Sequence, residues 1–389
     1  MNLTYISDNK VYRLSDGKAV EIPCRKIDRY KETLAGMQRR NEWKTSGTGA
    51  AFTGAADYAA ARYNAPVSAS VTGIGEADGK LLYSVLLEDV GWIYRRRYDP
   101  ADETEELVYS SKDFCFGEFD CKNGKAALSM GSSLSSLHIA VMDVCTGSYT
   151  EYTDGDSIEE HPSWSADGSG IYFSTAGYAR NENGVITAMG PHSIAYLDLG
   201  TKSMSDEISS DDYDYLHPGT DADGSLYYIR QPYRSKTRVD ITPMDILLFP
   251  YRIIKGIFGF LNIFATLFGG EALKGGGGKD TRTKNRSEKD ILIEGNIINA
   301  DKLARENEKK GEKFAGIMPL NRVLVRRSKD GTEDILKKGV LDYCICNDGT
   351  IIISNGSHIT ALAPDGSETH LAKAKLATRL FINNTERSM

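Results

Sequence analysis

The sequence has no excess of positive charge and no apolar run long enough to span a membrane. Its 389 residues carry 47 Lys and Arg against 54 Asp and Glu, a formal net charge of −7. This balance argues against nucleic acid as the main partner, because the phosphate backbone requires a basic surface. Within the most apolar segment only Gly256–Gly270 is free of charge, which is shorter than the ~20 residues of a spanning helix.

Cysteine is scarce and shows no framework spacing. The six cysteines are scattered over the chain, and the first residues, MNLTYISDNKVYRL, lack the basic-then-apolar pattern of a signal peptide. We therefore expect reduced thiols and a cytoplasmic location. Cys344 and Cys346 share one face of a predicted strand. Since no second pair has zinc-ligand spacing, we expect them to be buried as small apolar residues.

Catalytic motifs are missing as well. The sequence has no Gly-x-Ser-x-Gly and no His-Glu-x-x-His. The small-residue stretch Thr45–Ala61 lacks the Gly-Lys-Ser/Thr ending of a phosphate-binding loop. No second α/β domain is predicted that would host a hydrolase. These absences favour a protein that is not an enzyme and that uses no cofactor.

What the sequence does contain is a repeated hairpin. In Glu159–Thr175, EEHPSWSADGSGIYFST, an Asp-Gly pair joins two apolar runs, and glycine takes the positive φ that a tight turn needs. Turn glycines recur at positions 79, 124, 168, 224 and 349, separated by 45, 44, 56 and 125 residues. A period of about 40–45 residues with four strands per unit is typical of propeller blades. The predicted blade turns contain Gly79, Gly124, Asp167, Gly168, Asp223, Gly224, Asp348 and Gly349.

The two ends of the chain complete the count of blades. Five units lie between Val67 and Ala374, which leaves one strand at the C-terminus and three at the N-terminus. These four strands make a sixth blade. The sequence therefore predicts an all-β, six-bladed β-propeller that forms a single domain over residues 1–389.

One unit of the repeat points to a known family. HPSWSADGSGIYFS, residues 161–174, resembles the repeat of TolB-like, WD40-like propeller proteins, which carry Pro-x-Trp-Ser-x-Asp-Gly at this turn. The resemblance is partial at residues 217–230, where Thr220-Asp221 replaces Trp-Ser. It implies an interaction platform in which the motif is structural. We therefore expect a non-catalytic scaffold that binds a protein partner, whose identity the sequence does not reveal.

Two segments interrupt the blades. Residues 23–66 form a predicted helix and loop between blades 1 and 2, and residues 231–320 interrupt blade 5 with an amphipathic helix and a flexible basic linker. These two segments and the loop Ala176–Pro191 are all expected on one side of the propeller, the side that carries the loops between blades. Since loops on a rigid scaffold carry function, the sequence predicts that this side is the working face.

The predicted helix at residues 245–270 is apolar over most of its circumference. This pattern favours docking to a partner or peripheral binding to an anionic membrane surface at the inner face of the membrane. Packing against the propeller itself is the alternative. The apolar positions are Ile246, Leu247, Phe249, Ile253, Ile254, Ile257, Phe258, Phe260, Leu261, Phe264, Leu267 and Phe268.

Two histidines occupy equivalent positions in neighbouring blades. His161 and His217 each precede a proline at the start of a predicted inner strand, so their side chains are expected to approach each other near the mouth of the channel. With His192 and Glu160 they form a candidate metal or ligand site. The competing interpretation is that His-Pro is a structural feature of the repeat, and we predict no metal. The alternative function is a propeller enzyme, or a binder of carbohydrate or another small ligand, that uses this mouth.

Overall fold

A computed structural model describes residues 2–45, 69–87, 90–184, 186–233, 290–293 and 296–383. The chain divides into two compact units. One comprises Met1–Asp28, Ser68–Ser235 and Lys289–Met389 and contains the sheets described below. The other comprises Arg29–Val67 and Lys236–Glu288, of which the structure describes only residues 29–45.

Antiparallel strands follow one another from the N-terminus through the first half of the chain. The first strands and the first helix are β1 (Leu3–Ser7), β2 (Lys10–Ser15), β3 (Lys18–Ile22) and α1 (Arg25–Thr45). The next sheet contains β4 (Ala69–Ala77), β5 (Lys80–Leu87), β6 (Val90–Arg96) and β7 (Glu106–Ser111). It is followed by β8 (Cys115–Lys122), β9 (Lys125–Ser133), β10 (Ser136–Asp143) and β11 (Tyr149–Glu151).

The second half repeats the pattern with additions. The fourth sheet contains β12 (Ser157–Trp164), β13 (Gly170–Arg180), β14 (Ile186–Met189), β15 (Ser193–Asp198) and β16 (Ser203–Ile208). The fifth sheet contains β17 (Tyr213–Thr220), β18 (Leu226–Pro232), β21 (Val323–Arg327) and β22 (Glu333–Lys338). Between β18 and β21 the chain forms a separate hairpin of β19 (Asp290–Ile293) and β20 (Asn296–Asn299), followed by helix α2 (Ala300–Lys309). The last strands are β23 (Asp342–Ile345), β24 (Ile351–Ser354), β25 (His358–Leu362), β26 (Glu368–Lys373) and β27 (Thr378–Ile382).

The two ends of the chain close the sixth sheet. Its strand order is β27-β1-β2-β3, with Leu3 opposite Ile382. The Thr4 hydroxyl donates a hydrogen bond of 2.8 Å to the Asn383 side chain, and both groups are buried. The predicted six-bladed β-propeller, closed by one C-terminal and three N-terminal strands, is therefore confirmed. We number the blades from this closing blade, so that β4 begins blade 2 and β23 begins blade 6.

Apolar cores lie between neighbouring blades, because one sheet cannot bury both of its faces alone. Between blades 3 and 4, Ile139 packs with Trp164 and Phe173. The Trp164 indole also donates a hydrogen bond of 3.1 Å to the Asp120 carbonyl of blade 3. Comparable clusters join blades 2 and 3, 4 and 5, 5 and 6, and 6 and 1. The sheets are thus held together by radial stacking.

The five turn glycines have φ between 71° and 82°, the left-handed conformation that glycine adopts at little cost. We call the side that carries these turns the turn face. The opposite side, where the second strand of each blade connects to the third, is called the insertion face. The glycines on the turn face are Gly79, Gly124, Gly168, Gly224 and Gly349.

The insertion face carries two of the segments predicted from the sequence. The loop in blade 4 is a hairpin of β13 and β14, in which Tyr178 pairs with Met189. In blade 5, α2 and the chain that follows it return to β21. Buried Asn307 of α2 donates hydrogen bonds to the carbonyls of Gly316 and Met318, at 2.8 and 2.9 Å. These contacts hold α2 against the chain that follows it, and the Asn355 side chain of blade 6 donates a hydrogen bond of 2.7 Å to the Phe314 carbonyl of that chain.

The first predicted insertion begins at the outer strands of blade 2. There the Arg25 backbone N–H donates a hydrogen bond of 2.7 Å to Glu105, and the buried Arg96 guanidinium donates to the Pro23 carbonyl. The predicted apolar helix at residues 245–270 lies outside the described residues. Among the helices that the structure describes, none has both the length and the apolar character needed to cross a membrane.

Candidate functional site

The inner strands of five blades contain a bulge, which in β4, β8 and β27 appears as a shift of the pairing register. In β12 the pairing register with β13 shifts between Glu160 and Ser163, and in β17 it shifts between Leu216 and Gly219. His161 and His217 occupy these bulges with φ of 55° and 50°, a conformation that costs a non-glycine residue about 1–2 kcal/mol. Arg379 of β27 has the same conformation, with φ of 58°. The bulge is therefore a feature of the repeat.

Four side chains converge at these bulges, and sequence reasoning identified only the two histidines. The imidazole rings of His161 and His217 have their centroids 3.7 Å apart. His161 Nε2 lies 3.0 Å from Glu118 Oε1, and Arg379 contacts the same carboxylate oxygen. Candidate ligand atoms of Glu118, His161 and His217 all lie within 4.8 Å of one another. We call Glu118, His161, His217 and Arg379 the channel cluster.

The charge of the channel cluster is set mainly by Glu118. Burial opposes ionisation of this carboxyl, but the Arg379 guanidinium and the contact with His161 lower the pKa of Glu118 to about 2. Glu118 is therefore a carboxylate at neutral pH. On the other side of the cluster, His217 Nδ1 lies 3.8 Å from Asp342 Oδ1. Asp342 is itself fixed, because its carboxylate accepts hydrogen bonds from the backbone N–H groups of Tyr343 and Leu380.

The channel cluster separates two cavities along the propeller axis. The cavity towards the turn face has a volume of about 760 Å³ and is bordered by Glu76 and Asp120. The cavity towards the insertion face has a volume of about 660 Å³. Glu118, His217 and Arg379 line both. Any small molecule that enters from either face therefore meets the cluster.

The two histidines lie deeper than the sequence analysis expected. Each is the fifth residue of an eight-residue inner strand, in the middle of the channel, whereas the prediction placed them at its mouth. The reason is that Ser157–Glu160 already belongs to β12. This stretch contains Glu159 and Glu160 and does not show the apolar alternation by which strands are recognised.

His192 and Glu160, the other two predicted candidates, form a separate group beside the channel cluster. His192 Nδ1 lies 3.3 Å from Asp214 Oδ1, and His192 Nε2 lies 3.7 Å from Glu160 Oε2. Burial disfavours the imidazolium, but Asp214 and Glu160 raise the pKa of His192 to about 9. His192 is therefore a cation at neutral pH, and a metal ion would have to displace its proton in order to bind there.

This second group connects to the base of the blade 5 insertion. The Gln231 amide donates to Asp214 Oδ2 at 3.4 Å, and its carbonyl oxygen accepts a hydrogen bond of 2.8 Å from Arg322. Arg322 is buried and also donates to the carbonyls of Val340 and Leu341. Gln231 lies in β18 at the start of the insertion, and Arg322 follows its end. The two ends of the insertion are thus joined to each other, and Asp214 connects them to His192.

A sequence signal for some of the missed residues exists. His161 and His217 each lie six residues before the Asp of their Asp-Gly turn. Asp342 likewise lies six residues before Asp348 of the turn in blade 6. In blade 3, the residue six positions before Asn123 is Gly117, the neighbour of Glu118. Arg379 has no such signal, because no Asp-Gly or Asn-Gly pair follows it in the sequence.

The predicted cysteine pair borders the cavity towards the turn face, and both residues are half-buried where full burial was expected. All six cysteines are free thiols. Burial raises the pKa of the Cys346 thiol to about 11 and also raises that of Cys344. A thiol is nucleophilic and metal-binding only as the thiolate, so both are unreactive at neutral pH.

Comparisons with known proteins extend to the fold only. No known protein family matches the sequence, and no curated protein matches it. The crystal structure of TolB from Acinetobacter baumannii is similar over 97% of this chain and 65% of that chain, with 10% identity and a TM-score of 0.46. The tricorn protease is similar over 97% of this chain and 33% of that chain, with 11% identity and a TM-score of 0.44.

A third similar structure comes from a study of two prolyl endopeptidases. The similarity covers 95% of this chain and 46% of the endopeptidase chain, with 13% identity and a TM-score of 0.40. The chain thus spans about two thirds of the TolB structure and half or less of the two peptidases. The predicted six-bladed propeller is confirmed by the strand order of the structure itself.

Proposed function

We propose that the protein is a non-catalytic propeller scaffold that binds a protein partner through the segment inserted in blade 5. The observation that carries this proposal is the rigid base of the insertion. Asn355 joins the returning chain to blade 6, and Arg322 joins its end to blade 5. Asn307 holds α2 against this chain, in which Ile317 and Met318 are buried. A segment presented from a fixed base on a rigid scaffold is the usual arrangement of a binding loop.

The inserted sequence itself supports a docking role. Residues 245–270 are predicted from the sequence to form a helix with an apolar circumference, and such a helix lays its apolar side into a hydrophobic groove of a partner. The basic residues that follow, among them Lys279, Arg282 and Arg286, add attraction to an anionic surface. We propose a cytoplasmic protein that acts next to the inner face of the membrane.

Paired substitutions in this segment test the proposal. Phe258→Asp with Phe264→Asp removes apolar contacts, whereas Asn262→Asp adds a charge within the polar stripe and is the matched control. Quantitative affinity capture should recover a partner with the wild-type protein and with the control but not with the double variant. Capture of the same proteins by all three chains would contradict the proposal. A third outcome is that no protein is captured, while the wild type and the control, but not the double variant, co-sediment with phosphatidylglycerol vesicles. The segment would then bind a membrane and not a protein partner.

A second candidate function is the binding of a small ligand in the central channel. The channel cluster favours it, because a buried carboxylate, two histidines and an arginine converge between two cavities. A ligand held there should raise the melting temperature of the wild-type protein but not that of a His161→Ala/His217→Ala variant. If carbohydrates and other small molecules stabilise neither protein, this function is wrong.

A further inference from the structure

We infer that Glu118, His161 and His217 bind one divalent transition-metal cation at the centre of the channel. The inference rests on the second candidate function, in which the channel is a binding site, and it specifies a metal ion as the ligand. Imidazole nitrogen and carboxylate oxygen together suit Zn²⁺, Mn²⁺, Fe²⁺, Co²⁺ or Ni²⁺. Three protein ligands from blades 3, 4 and 5 leave a coordination position open to the cavities.

The distances require only a small adjustment. With metal–ligand bonds of about 2.0–2.2 Å, two ligand atoms on one ion lie about 3.3 Å apart in a tetrahedral site and at most about 4.4 Å apart. The separation of 3.0 Å between His161 Nε2 and Glu118 Oε1 is close to the tetrahedral value. The ligand atoms of all three residues lie within 4.8 Å of one another. A shift below about 1 Å, within the range of a side-chain rotation, therefore completes the site.

The charges around the channel cluster also favour a cation. Glu160 precedes His161 in β12, and Asp342 lies beside His217. Glu76 and Asp120 border the cavity towards the turn face. An acidic lining of this kind attracts a cation into the channel.

Neighbouring groups hold the ligands in place. Asp342 Oδ1 lies 3.8 Å from His217 Nδ1, which is beyond hydrogen-bond distance but places a carboxyl group on the Nδ1 side of the ring. We therefore assign the other nitrogen of His217, Nε2, to the metal. Arg379 contacts Oε1 of Glu118, the same oxygen that faces His161 Nε2, and so fixes the orientation of this carboxylate.

Metal binding to the full-length protein tests the inference. After treatment with EDTA and buffer exchange, the protein is dialysed against Zn²⁺ or Mn²⁺ and analysed by mass spectrometry of the bound metal and by isothermal titration calorimetry. We expect one equivalent per chain. Glu118→Gln and His217→Asn should each weaken binding more than about 100-fold, and Asp342→Asn should weaken it about 10- to 100-fold.

The control is a second histidine pair, His358 and His370, whose rings contact each other in blade 6. The double variant His358→Ala/His370→Ala should bind metal as the wild type does, and circular dichroism checks that every variant is folded. Absence of stoichiometric metal, or equal binding by Glu118→Gln and the wild type, would overturn the inference. A different result would separate the two proposals. If the EDTA-treated protein binds no added metal but is stabilised by a small molecule, the metal site is wrong and the binding of a ligand in the channel stands.

Discussion

Replacing His192 by glutamine should remove a pH-dependent part of the stability of the propeller. His192 precedes β15 in blade 4 and contacts Asp214 of blade 5 and Glu160 of the inner strand β12. Its side chain is only 10% exposed. The imidazolium therefore forms part of the contact between two blades, and its loss of a proton weakens that contact.

The size of the expected change in stability follows from the shift in the pKa of His192. Against the opposing effect of burial, Asp214 and Glu160 raise the pKa of His192 from 6.5 to about 9, which corresponds to about 3 kcal/mol of free energy of unfolding. Since the folded-state pKa is the higher one, this stabilisation is fully present below pH 6.5. It is lost as the pH rises through about 9.

Urea unfolding at pH 6, 7, 8 and 9 measures the effect. The wild-type protein should lose about 3 kcal/mol more than His192→Gln between pH 6 and pH 9. Other groups that titrate in this range, such as thiols, affect both proteins equally and cancel in the comparison. Parallel pH profiles of the two proteins would refute the reasoning, because His192 would then have the same pKa in the folded and unfolded states.

Three further substitutions test the packing. Asn307→Ala leaves two buried carbonyls without their donor, at about 1–3 kcal/mol each, so hydrogen exchange should accelerate in residues 300–318 and not in β5. Trp164→Ala should lower the free energy of unfolding by about 3–5 kcal/mol in urea titrations, and Trp164→Phe by less. Gly91→Ala places a Cβ against the Phe114 carbonyl and should cost about 1–3 kcal/mol, whereas Gly177→Ala, which meets no atom within 4 Å, should be nearly neutral.

The fold was predictable because each hairpin of the propeller is specified locally. An Asp-Gly or Asn-Gly turn between two apolar runs identifies the first two strands of a blade without reference to the rest of the chain. The spacing of these turns then gives the number of blades, and the unpaired strands at the two ends give the closure. The insertion in blade 5 was visible as the long interval between Gly224 and Gly349.

The channel cluster was only half predictable. His161 and His217 share a sequence context, His-Pro, that marks them as equivalent. Glu118 lies in a blade without that context, and Arg379 lies in the closing blade, so their approach depends on the assembled ring and not on any local pattern. The depth of the histidines was also missed, because an inner strand that faces a polar channel lacks the apolar alternation of an ordinary strand.

The central position of the channel cluster can be tested most directly by anomalous diffraction. Crystals of the full-length protein soaked in a zinc salt would be measured on both sides of the zinc absorption edge. We predict a single strong anomalous peak about 2.0–2.2 Å from a Glu118 carboxylate oxygen and from one nitrogen each of His161 and His217. A map with no peak between these residues, or with peaks only at surface histidines, would contradict a binding site at the centre of the propeller.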